Sequence, residues 1–231
     1  MFIITSLSPN HHNKHLQIDC VNSWLPHGRV FSLNTKSEIS VIGKGNYPDV
    51  TFLETDKTME SLFGKSLVNI SAFFEIAKIH HQDLFIINSD IYIKDLPELR
   101  KDGVTVFSRY DYRETIQESL LFKNGFDAFH IPCQYLNLYP PSLYAMGATF
   151  WDFAVPYRMI LNGINLYYPK GRHLFHKWHK NQYSYAEWLW TGELFAWEFR
   201  LGREKRFGKE QIIQQICTET LALIKSKFIY V

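Results

Sequence analysis

One short stretch of this chain limits its fold and its chemistry more than any other. Four consecutive apolar residues, Leu84–Ile87, are followed directly by Asn88-Ser89-Asp90. A short apolar run bounded by polar residues is typical of a strand buried on both faces of a parallel sheet. Open α/β sheets bind ligands at the carboxyl ends of such strands, where the carboxylate of Asp90 can hold Mg²⁺ or Mn²⁺. The alternative is a plain polar turn, because Asn and Asp are also ordinary turn residues.

The rest of the chain alternates between strand and helix patterns. Strands are predicted at 2–7, 29–33, 50–53, 104–108, 126–131 and 164–168. Helices are predicted at 10–24, 37–44, 67–80, 147–162, 186–200 and 209–225. This alternation predicts an α/β fold with a mixed, mostly parallel, Rossmann-like central sheet flanked by helices, and with helices at the C-terminal end. The later half is less regular, so we expect antiparallel strands there.

Composition excludes several classes of protein. With 231 residues, 46% of them apolar, the chain can form one domain with a large core. Its 25 basic and 23 acidic residues leave a net charge of +2, which indicates neither nucleic acid nor an anionic membrane as a partner. No apolar run reaches the roughly 18 residues of a membrane span. Three cysteines without a CxxC pair imply buried thiols, and we expect a cytoplasmic protein without a transmembrane segment.

Two histidines late in the chain are candidate metal ligands. His176 and His179 stand in an aromatic segment that should return to the carboxyl edge of the sheet. Imidazole suits Mn²⁺ as a nitrogen ligand among oxygens, so either residue could complete a site begun by Asp90. The alternative is packing or hydrogen bonding within the aromatic segment.

Two acidic residues have both a structural and a functional interpretation. Asp152 falls in the first turn of a predicted helix, where an acid complements the helix dipole; it could equally act as a general base at the mouth of a pocket. Asp127 lies in a predicted aromatic strand and needs a partner if it is buried. It could hold a ligand hydroxyl or a backbone turn.

Two arginines suggest phosphate binding, whereas a lysine in a P-loop-like segment does not. Arg109 and Arg172 end predicted edges on the same side of the sheet and could contact phosphate through two hydrogen bonds each, although exposed arginines are common. Gly64-Lys65-Ser66 resembles the end of a P-loop, but the required first glycine is Met59 and no strand directly precedes it, so we reject that assignment.

Several of these segments together resemble a GT-A-type glycosyltransferase. The sequence around Asp90 is similar to the metal-binding Asp-x-Asp motif of that fold, with Asn88 in place of the first acid. The segment 147–152 resembles the one in which inverting members carry their base, and 174–179 resembles a late histidine region that supplies a metal ligand. Further similarity lies in 2–7, 22–24 and 31–34 with Glu38. The resemblance covers most of positions 1–180.

The resemblance implies a nucleotide-diphosphate sugar as the donor. The nucleotide would lie over Thr5, Ser6 and the loop from Asn34 to Glu38. The diphosphate would meet Asn88, Ser89 and a divalent cation, Mn²⁺ or Mg²⁺, at Asp90. The acceptor would be a glycan or another hydroxyl compound. We expect one GT-A-like domain over 1–231, with the binding and catalytic core in 1–180 and a helical extension in 181–231.

The hypothesis from sequence is therefore a hexosyltransferase-like enzyme of glycan biosynthesis, with Asp152 as its base. One alternative is a catalytically inactive GT-A-like binding or assembly module, which the asparagine at position 88 keeps open. A sugar nucleotidyltransferase is less favoured, because 5–9 contains no glycine-rich loop. The donor sugar and base, the acceptor, the stereochemistry and the oligomeric state are not encoded in any pattern of the sequence.

Overall fold

A large sheet forms the centre of the molecule, and the computed structural model describes residues 1–11, 13–179, 183–201 and 208–231. The strands of the described residues are β1 (Phe2–Thr5), β2 (Arg29–Asn34), β3 (Val50–Glu54), β4 (Leu84–Ile87), β5 (Ile91–Ile93), β6 (Gly103–Phe107), β7 (Tyr110–Tyr112), β8 (Leu120–Leu121), β9 (Ala128–Ile131), β10 (Asn165–Tyr168), β11 (Leu174–Lys177) and β12 (Phe228–Tyr230). The helices are α1 (Lys14–Trp24), α2 (Lys36–Ile42), α3 (Glu60–Phe63), α4 (Ile70–Ile79), α5 (Trp151–Leu161), α6 (Tyr185–Glu198) and α7 (Lys209–Ser226).

The large sheet has the strand order β12-β10-β6-β9-β4-β1-β2-β3. Its neighbouring strands are parallel except at β9, which pairs antiparallel with both β4 and β6. The predicted mixed, mostly parallel α/β sheet is confirmed, as is the antiparallel element in the later half. Because β9 runs the opposite way, the residues that precede it lie at the same edge as the carboxyl ends of β1, β4 and β6.

Apolar side chains cover both faces of the sheet. On one face α4, α5, α6 and α7 pack through residues such as Phe73, Phe195 and Ile213. Gly192 lets α6 approach α7 closely, because a Cβ atom there would lie 2.4 Å from Cγ2 of Ile213. On the other face α1 and α2 pack with β5 and β11 around Trp24. None of the described helices combines the length and the apolar character needed to cross a bilayer.

A second sheet of four short strands, in the order β5-β11-β7-β8, follows the carboxyl edge of the large sheet. Strand β11 pairs antiparallel with β5 and parallel with β7. The register places His176 opposite both Ile91 and Asp111. This sheet was not predicted, because strands of two to four residues are too short to show a period of two.

Several predicted boundaries are wrong by a few residues, and side-chain hydrogen bonds explain two of them. Helix α1 begins at Lys14 because Asn13, not Asn10, is its N-cap and accepts a hydrogen bond from the amide of Leu16. Helix α4 begins at Ile70, since the side chain of Asn69 accepts from the amide of Ser71. The predicted strand at 126–131 is shorter and starts at Ala128.

The end of the chain contributes to the same sheet. Helix α7 packs against α5 and α6, and β12 then adds a parallel edge strand beside β10. Three residues directly after a long helix carry no strand signal, which is why β12 was not predicted. The predicted division of the chain between 180 and 181 lies outside the described residues.

Candidate functional site

A cleft of about 710 Å³ lies at the carboxyl edge of the large sheet, as predicted from the polar ending of β4. Its walls come from the loops after β1, β4 and β6, from the start of α5, and from β11. Nine of the residues predicted for a site line it: Ser6, Glu38, Asn88, Ser89, Asp90, Arg109, Asp152, His176 and His179. These residues lie between positions 6 and 179, so the cleft collects side chains from most of the chain.

Three side chains converge on one point of the cleft. Oδ2 of Asp90 lies 3.1 Å from Nε2 of His179 and 3.4 Å from Nε2 of His176. The two imidazole nitrogens lie 3.1 Å from each other. The loop after β4 supplies the carboxylate, while β11 and the residues after it supply the imidazoles. We call Asp90, His176 and His179 the triad.

The triad fits a divalent transition metal. Adjacent ligands of an octahedral ion bound at about 2.1 Å are about 3.0 Å apart, close to the three separations found here. One carboxylate and two imidazoles suit Mn²⁺, Fe²⁺, Co²⁺ or Zn²⁺ better than Mg²⁺, which prefers oxygen ligands. The geometry therefore supports a metal site of mixed oxygen and nitrogen ligands, with both histidines able to contribute.

Electrostatic interactions within the triad keep its carboxylate ionised. Burial alone would raise the pKa of Asp90, but hydrogen bonds from His176 and His179 lower it well below its usual range. Burial would likewise lower the pKa of His176, but hydrogen bonds to Asp111 and Asp90 raise it to about 9. An ionised carboxylate beside two imidazoles is a set of groups that can bind a cation.

Asp111 orients one of the metal-ligand candidates. Its Oδ1 atom lies 2.8 Å from Nδ1 of His176, so Nε2 of the same ring faces Asp90. A carboxylate behind a histidine in this way fixes the tautomer and orientation of a metal ligand. Arg109 donates to the same carboxylate oxygen through Nε over 2.8 Å. Asp111 was not singled out from the sequence, and its position on the three-residue strand β7 explains why.

Arg109 links this arrangement to a second carboxylate. Its Nη1 atom donates to Oδ1 of Asp127 over 2.6 Å, and its guanidinium stacks 4.1 Å from the centre of the Phe122 ring. Asn88 also donates to Oδ1 of Asp127, over 3.1 Å. One oxygen of Asp127 thus receives two hydrogen bonds. Asn88, the first polar residue after β4, thus positions an acid of the cleft.

The other oxygen of Asp127 is buried and has no hydrogen-bond partner among the described residues. Asp127 lines the cleft and is 2% exposed, yet its Oδ2 atom has no hydrogen-bond partner among the described residues. A buried carboxylate oxygen without a partner costs free energy until something donates to it. A ligand hydroxyl and a backbone turn were the two partners considered from the sequence, and no backbone amide of the described residues donates to Oδ2.

Asp152 lies in the same cleft, and its pKa is raised toward neutrality. Burial, followed by the nearby charge of Asp127, raises the pKa of Asp152 to about 7, although the amide of Phe126 donates to Oδ2 over 3.3 Å. The carboxyl lies directly over Gly125, where a Cβ atom would come within 2.4 Å of Oδ2. A carboxyl with a pKa near neutrality can accept a proton during a reaction and release it afterwards.

The residues predicted to lie under a nucleotide form a buried hydrogen-bonded layer. The amide of Asn34 donates to the carbonyl of Leu7 over 2.9 Å and to Glu38 over 3.2 Å. Glu38 and Ser6 line the cleft, whereas Asn34 is buried beneath them. Thr5 is also buried, and its hydroxyl donates to the sulfur of Met146 over 3.8 Å. The structure thus places two of these four predicted residues at the surface of the cleft.

Arg172 lies apart from the other predicted site residues. Its guanidinium stacks 5.3 Å from the centre of the Tyr110 ring and donates to the carbonyl of Gln117 over 3.1 Å. Tyr110 and Asp111 are consecutive on β7, so they point to opposite faces of the small sheet. Arg172 therefore lies on the face away from the triad.

Neither a protein-family model nor a curated protein matches this chain. It is similar in structure to a protein assigned as a glucose-1-phosphate thymidylyltransferase from Bacillus anthracis, in complex with sucrose. The identity is 14%, the TM-score is 0.44, and the match covers 90% of this chain and 96% of that one.

Two further similar structures come from Streptococcus pneumoniae. For the glycosyltransferase GlyE of strain TIGR4 the identity is 10% and the TM-score 0.35, with 100% of this chain and 44% of that chain covered. For the CTP:phosphocholine cytidylyltransferase LicC the identity is 13% and the TM-score 0.38, with 84% of this chain and 98% of that chain covered. This chain thus spans less than half of the glycosyltransferase. Likenesses this distant assign no activity.

Proposed function

We propose that this protein transfers a sugar from a nucleotide-diphosphate sugar to an acceptor hydroxyl, with a divalent metal held by Asp90, His176 and His179. The observation that carries the proposal is the triad itself, set at the carboxyl edge of the sheet in one cleft with two carboxyls of different character. When bound, the metal supplies positive charge that stabilises the departing diphosphate. All other steps fall to side chains of the cleft.

The two carboxyls have separate roles in this proposal. Oδ2 of Asp127 accepts a hydrogen bond from a hydroxyl of the donor sugar, while Arg109 and Asn88 hold the other oxygen. Asp152 takes the proton of the acceptor hydroxyl as the acceptor oxygen forms a bond to the anomeric carbon. The bond from that carbon to the diphosphate oxygen breaks, and its electron pair leaves with the diphosphate. A pKa near 7 suits Asp152 to this role at neutral pH.

The charge of the cleft favours this reaction over nucleotidyl transfer. A nucleotidyltransferase must hold a triphosphate together with a sugar phosphate, which requires more positive charge than one diphosphate sugar does. Arg109 is already held between two carboxylates, and Lys65 pairs with Glu187 over 2.7 Å. The cations that line the described part of the cleft are thus largely compensated.

The experiment is to incubate the protein and Mn²⁺ with UDP-, GDP-, dTDP- and CDP-hexoses and to measure the nucleoside diphosphate released without an acceptor. We expect slow hydrolysis of one nucleotide class. Asp127→Asn should raise the KM for that sugar nucleotide about tenfold, the loss expected for a hydrogen bond to a charged group. The affinity of the same variant for the nucleoside diphosphate without a sugar should stay unchanged, because Asp127 is proposed to contact only the sugar.

Two outcomes would replace the proposal. Release of pyrophosphate from a nucleoside triphosphate and a sugar 1-phosphate, without hydrolysis of any sugar nucleotide, would identify a nucleotidyltransferase. Tight binding of a sugar nucleotide without hydrolysis or transfer would identify a binding module.

A further inference from the structure

A chain of hydrogen bonds runs from the protein interior to the loop that carries Asp90. The hydroxyl of Tyr47 donates to Oε1 of Gln17 over 2.7 Å, and Nε2 of Gln17 donates to the hydroxyl oxygen of Ser89 over 3.2 Å. Gln17 is 1% exposed and Tyr47 6% exposed, whereas Ser89 lines the cleft. We call these three residues the relay.

The orientation of the Gln17 side-chain amide decides which hydroxyl of the relay donates to which acceptor. Gln17 is the sole hydrogen-bond partner of the Tyr47 hydroxyl among the described residues, and burial raises the pKa of Tyr47 to about 12, so the phenol keeps its proton. If the amide were reversed, Nε2 would face the phenol, whose proton would then be buried without an acceptor. In the observed orientation of the Gln17 amide, the hydroxyl proton of Ser89 is the one that has no acceptor within the relay, and Ser89 lines the cleft.

We infer that Tyr47 and Gln17 are positioning residues that make the Ser89 hydroxyl a dedicated donor to a phosphoryl oxygen bound beside Asp90. Because Ser89 already accepts from Gln17, its own O–H points to what the cleft holds. A hydroxyl donating to an anionic oxygen forms a strong, charge-assisted hydrogen bond. The diphosphate as natural ligand rests on the proposed function, whereas the donor character of Ser89 rests on the relay.

The test is a double-mutant cycle on the binding of inorganic pyrophosphate with Mn²⁺, measured by isothermal titration. Ser89→Ala should weaken binding about tenfold, because the donor is lost. Tyr47→Phe should weaken it about threefold to tenfold, since the amide of Gln17 can then reverse and accept the proton of Ser89. The double variant should bind no more weakly than Ser89→Ala alone, which is the non-additivity expected of coupled residues.

Controls separate this role from a general effect on folding. Tyr167→Phe removes the hydroxyl of another buried tyrosine, which donates to Asp102 over 2.8 Å away from the cleft, and should leave pyrophosphate binding unchanged. If Tyr47→Phe does not fold, Gln17→Met replaces it in the same cycle. It should weaken pyrophosphate binding by less than Ser89→Ala does, because the Ser89 hydroxyl is no longer held in one orientation, and the double variant should again bind no more weakly than Ser89→Ala alone. Full additivity with Ser89→Ala, no effect of Tyr47→Phe, or no binding of pyrophosphate by the wild type would each overturn the inference.

The outcome also distinguishes the relay from the proposed function. A coupled loss of pyrophosphate binding, in a protein that hydrolyses no sugar nucleotide, would support the relay and reject the transferase. Hydrolysis of a sugar nucleotide with fully additive variants would keep the transferase and reject the relay.

Discussion

The two edges of the large sheet each place a buried histidine near carboxyl groups, and the protonation preferences are opposite. At the edge opposite the cleft, His130 lies 3.5 Å from Asp83, and burial lowers its pKa to about 4. At the cleft edge His176 is similarly buried, yet its pKa is raised to about 9. The difference is that His176 faces two carboxylates, at 2.8 Å and 3.4 Å, and His130 faces one at a longer distance.

The pKa values of Asp83 and Asp152, one at each edge, are also shifted in opposite directions. Burial alone would raise the pKa of Asp83, but the ammonium of Lys101 and the amide of Cys133 lower it. For Asp152 burial and the nearby charge of Asp127 outweigh the amide of Phe126 and the more distant charge of Arg109, so its pKa is raised to about 7. One edge therefore holds a neutral histidine and an ionised acid, as an ordinary polar core does. The other holds a readily protonated histidine and a readily protonated acid, a combination that is common at functional sites.

The largest expected effect separates the two acids. Asp152→Asn should lower turnover of a sugar nucleotide with acceptor by about 10²–10⁴-fold, the usual contribution of a general base. The matched variant Asp83→Asn should leave turnover within a factor of about two. Steady-state kinetics on both proteins checks this, and equal losses in both would end the distinction between the edges.

The variants Asp152→Asn and Asp83→Asn should also change the Tm in opposite directions. The folded protein holds the proton of Asp152 more tightly than the unfolded chain does, so this carboxyl destabilises the fold increasingly as the pH rises from about 4 to about 7. Asp152→Asn should therefore raise the Tm at pH 8, by about 2–4 °C for each kcal/mol recovered, and raise it less at pH 5. Asp83→Asn should lower the Tm at pH 8, because it loses its pairing with Lys101.

The two histidines should differ in metal binding. His176→Gln should weaken Mn²⁺ binding by about 100-fold or more, because it removes a ligand, whereas His130→Gln should leave it unchanged. Isothermal titration with Mn²⁺ at pH 7.5 measures both. Unchanged affinity in His176→Gln would show that the convergence of the triad does not reflect a metal site.

Asp111 sharpens the comparison because it contacts the histidine and not the proposed metal. Asp111→Asn should weaken Mn²⁺ binding about 10–100-fold, in the range known for carboxylates behind metal-bound histidines. His176 should bind Mn²⁺ more weakly in this variant, because its imidazole loses the carboxylate that holds its orientation. An effect as large as that of His176→Gln would indicate that Asp111 is itself a ligand.

The smallest expected effect concerns acid stability. His130 binds its proton less readily in the folded protein than in the unfolded chain, so it stabilises the fold fully above about pH 6.5, and this contribution is lost as the pH falls toward 4. His130→Gln should remove that part of the pH dependence. Urea unfolding between pH 4 and 7.5 would show it as a shallower decline than in the wild type.

The sheet and the metal-ligand candidates were largely predictable from sequence for physical reasons. Strand β4 is a pure apolar run ending in polar residues, which marks both a buried strand and the edge where ligands bind. Asp90, His176 and His179 were recognised by residue type. Their convergence was only a hypothesis, because it depends on β5 and β11, whose three and four residues carry no readable period.

What the sequence could not provide are contacts between short irregular segments. The roles of Asp111 and Asn88 depend on which atoms they face across β7 and the loop after β4. The relay joins positions 17, 47 and 89, and none of the three has a pattern that indicates the others. Pairing with distant partners, and not propensity, decides the function of such residues.

The most direct test of the central claim is a thermal-shift panel of UDP, GDP, dTDP and CDP, each with and without Mn²⁺, on the wild type and Asp90→Ala. A ligand that binds only the folded state stabilises it by about 2.7 kcal/mol at a hundredfold excess over its dissociation constant. We predict that one diphosphate raises the Tm of the wild type only when Mn²⁺ is present, and that Asp90→Ala loses this shift. No shift from any diphosphate with Mn²⁺, or an equal shift in Asp90→Ala, would contradict the proposed metal-assisted binding of a nucleotide diphosphate.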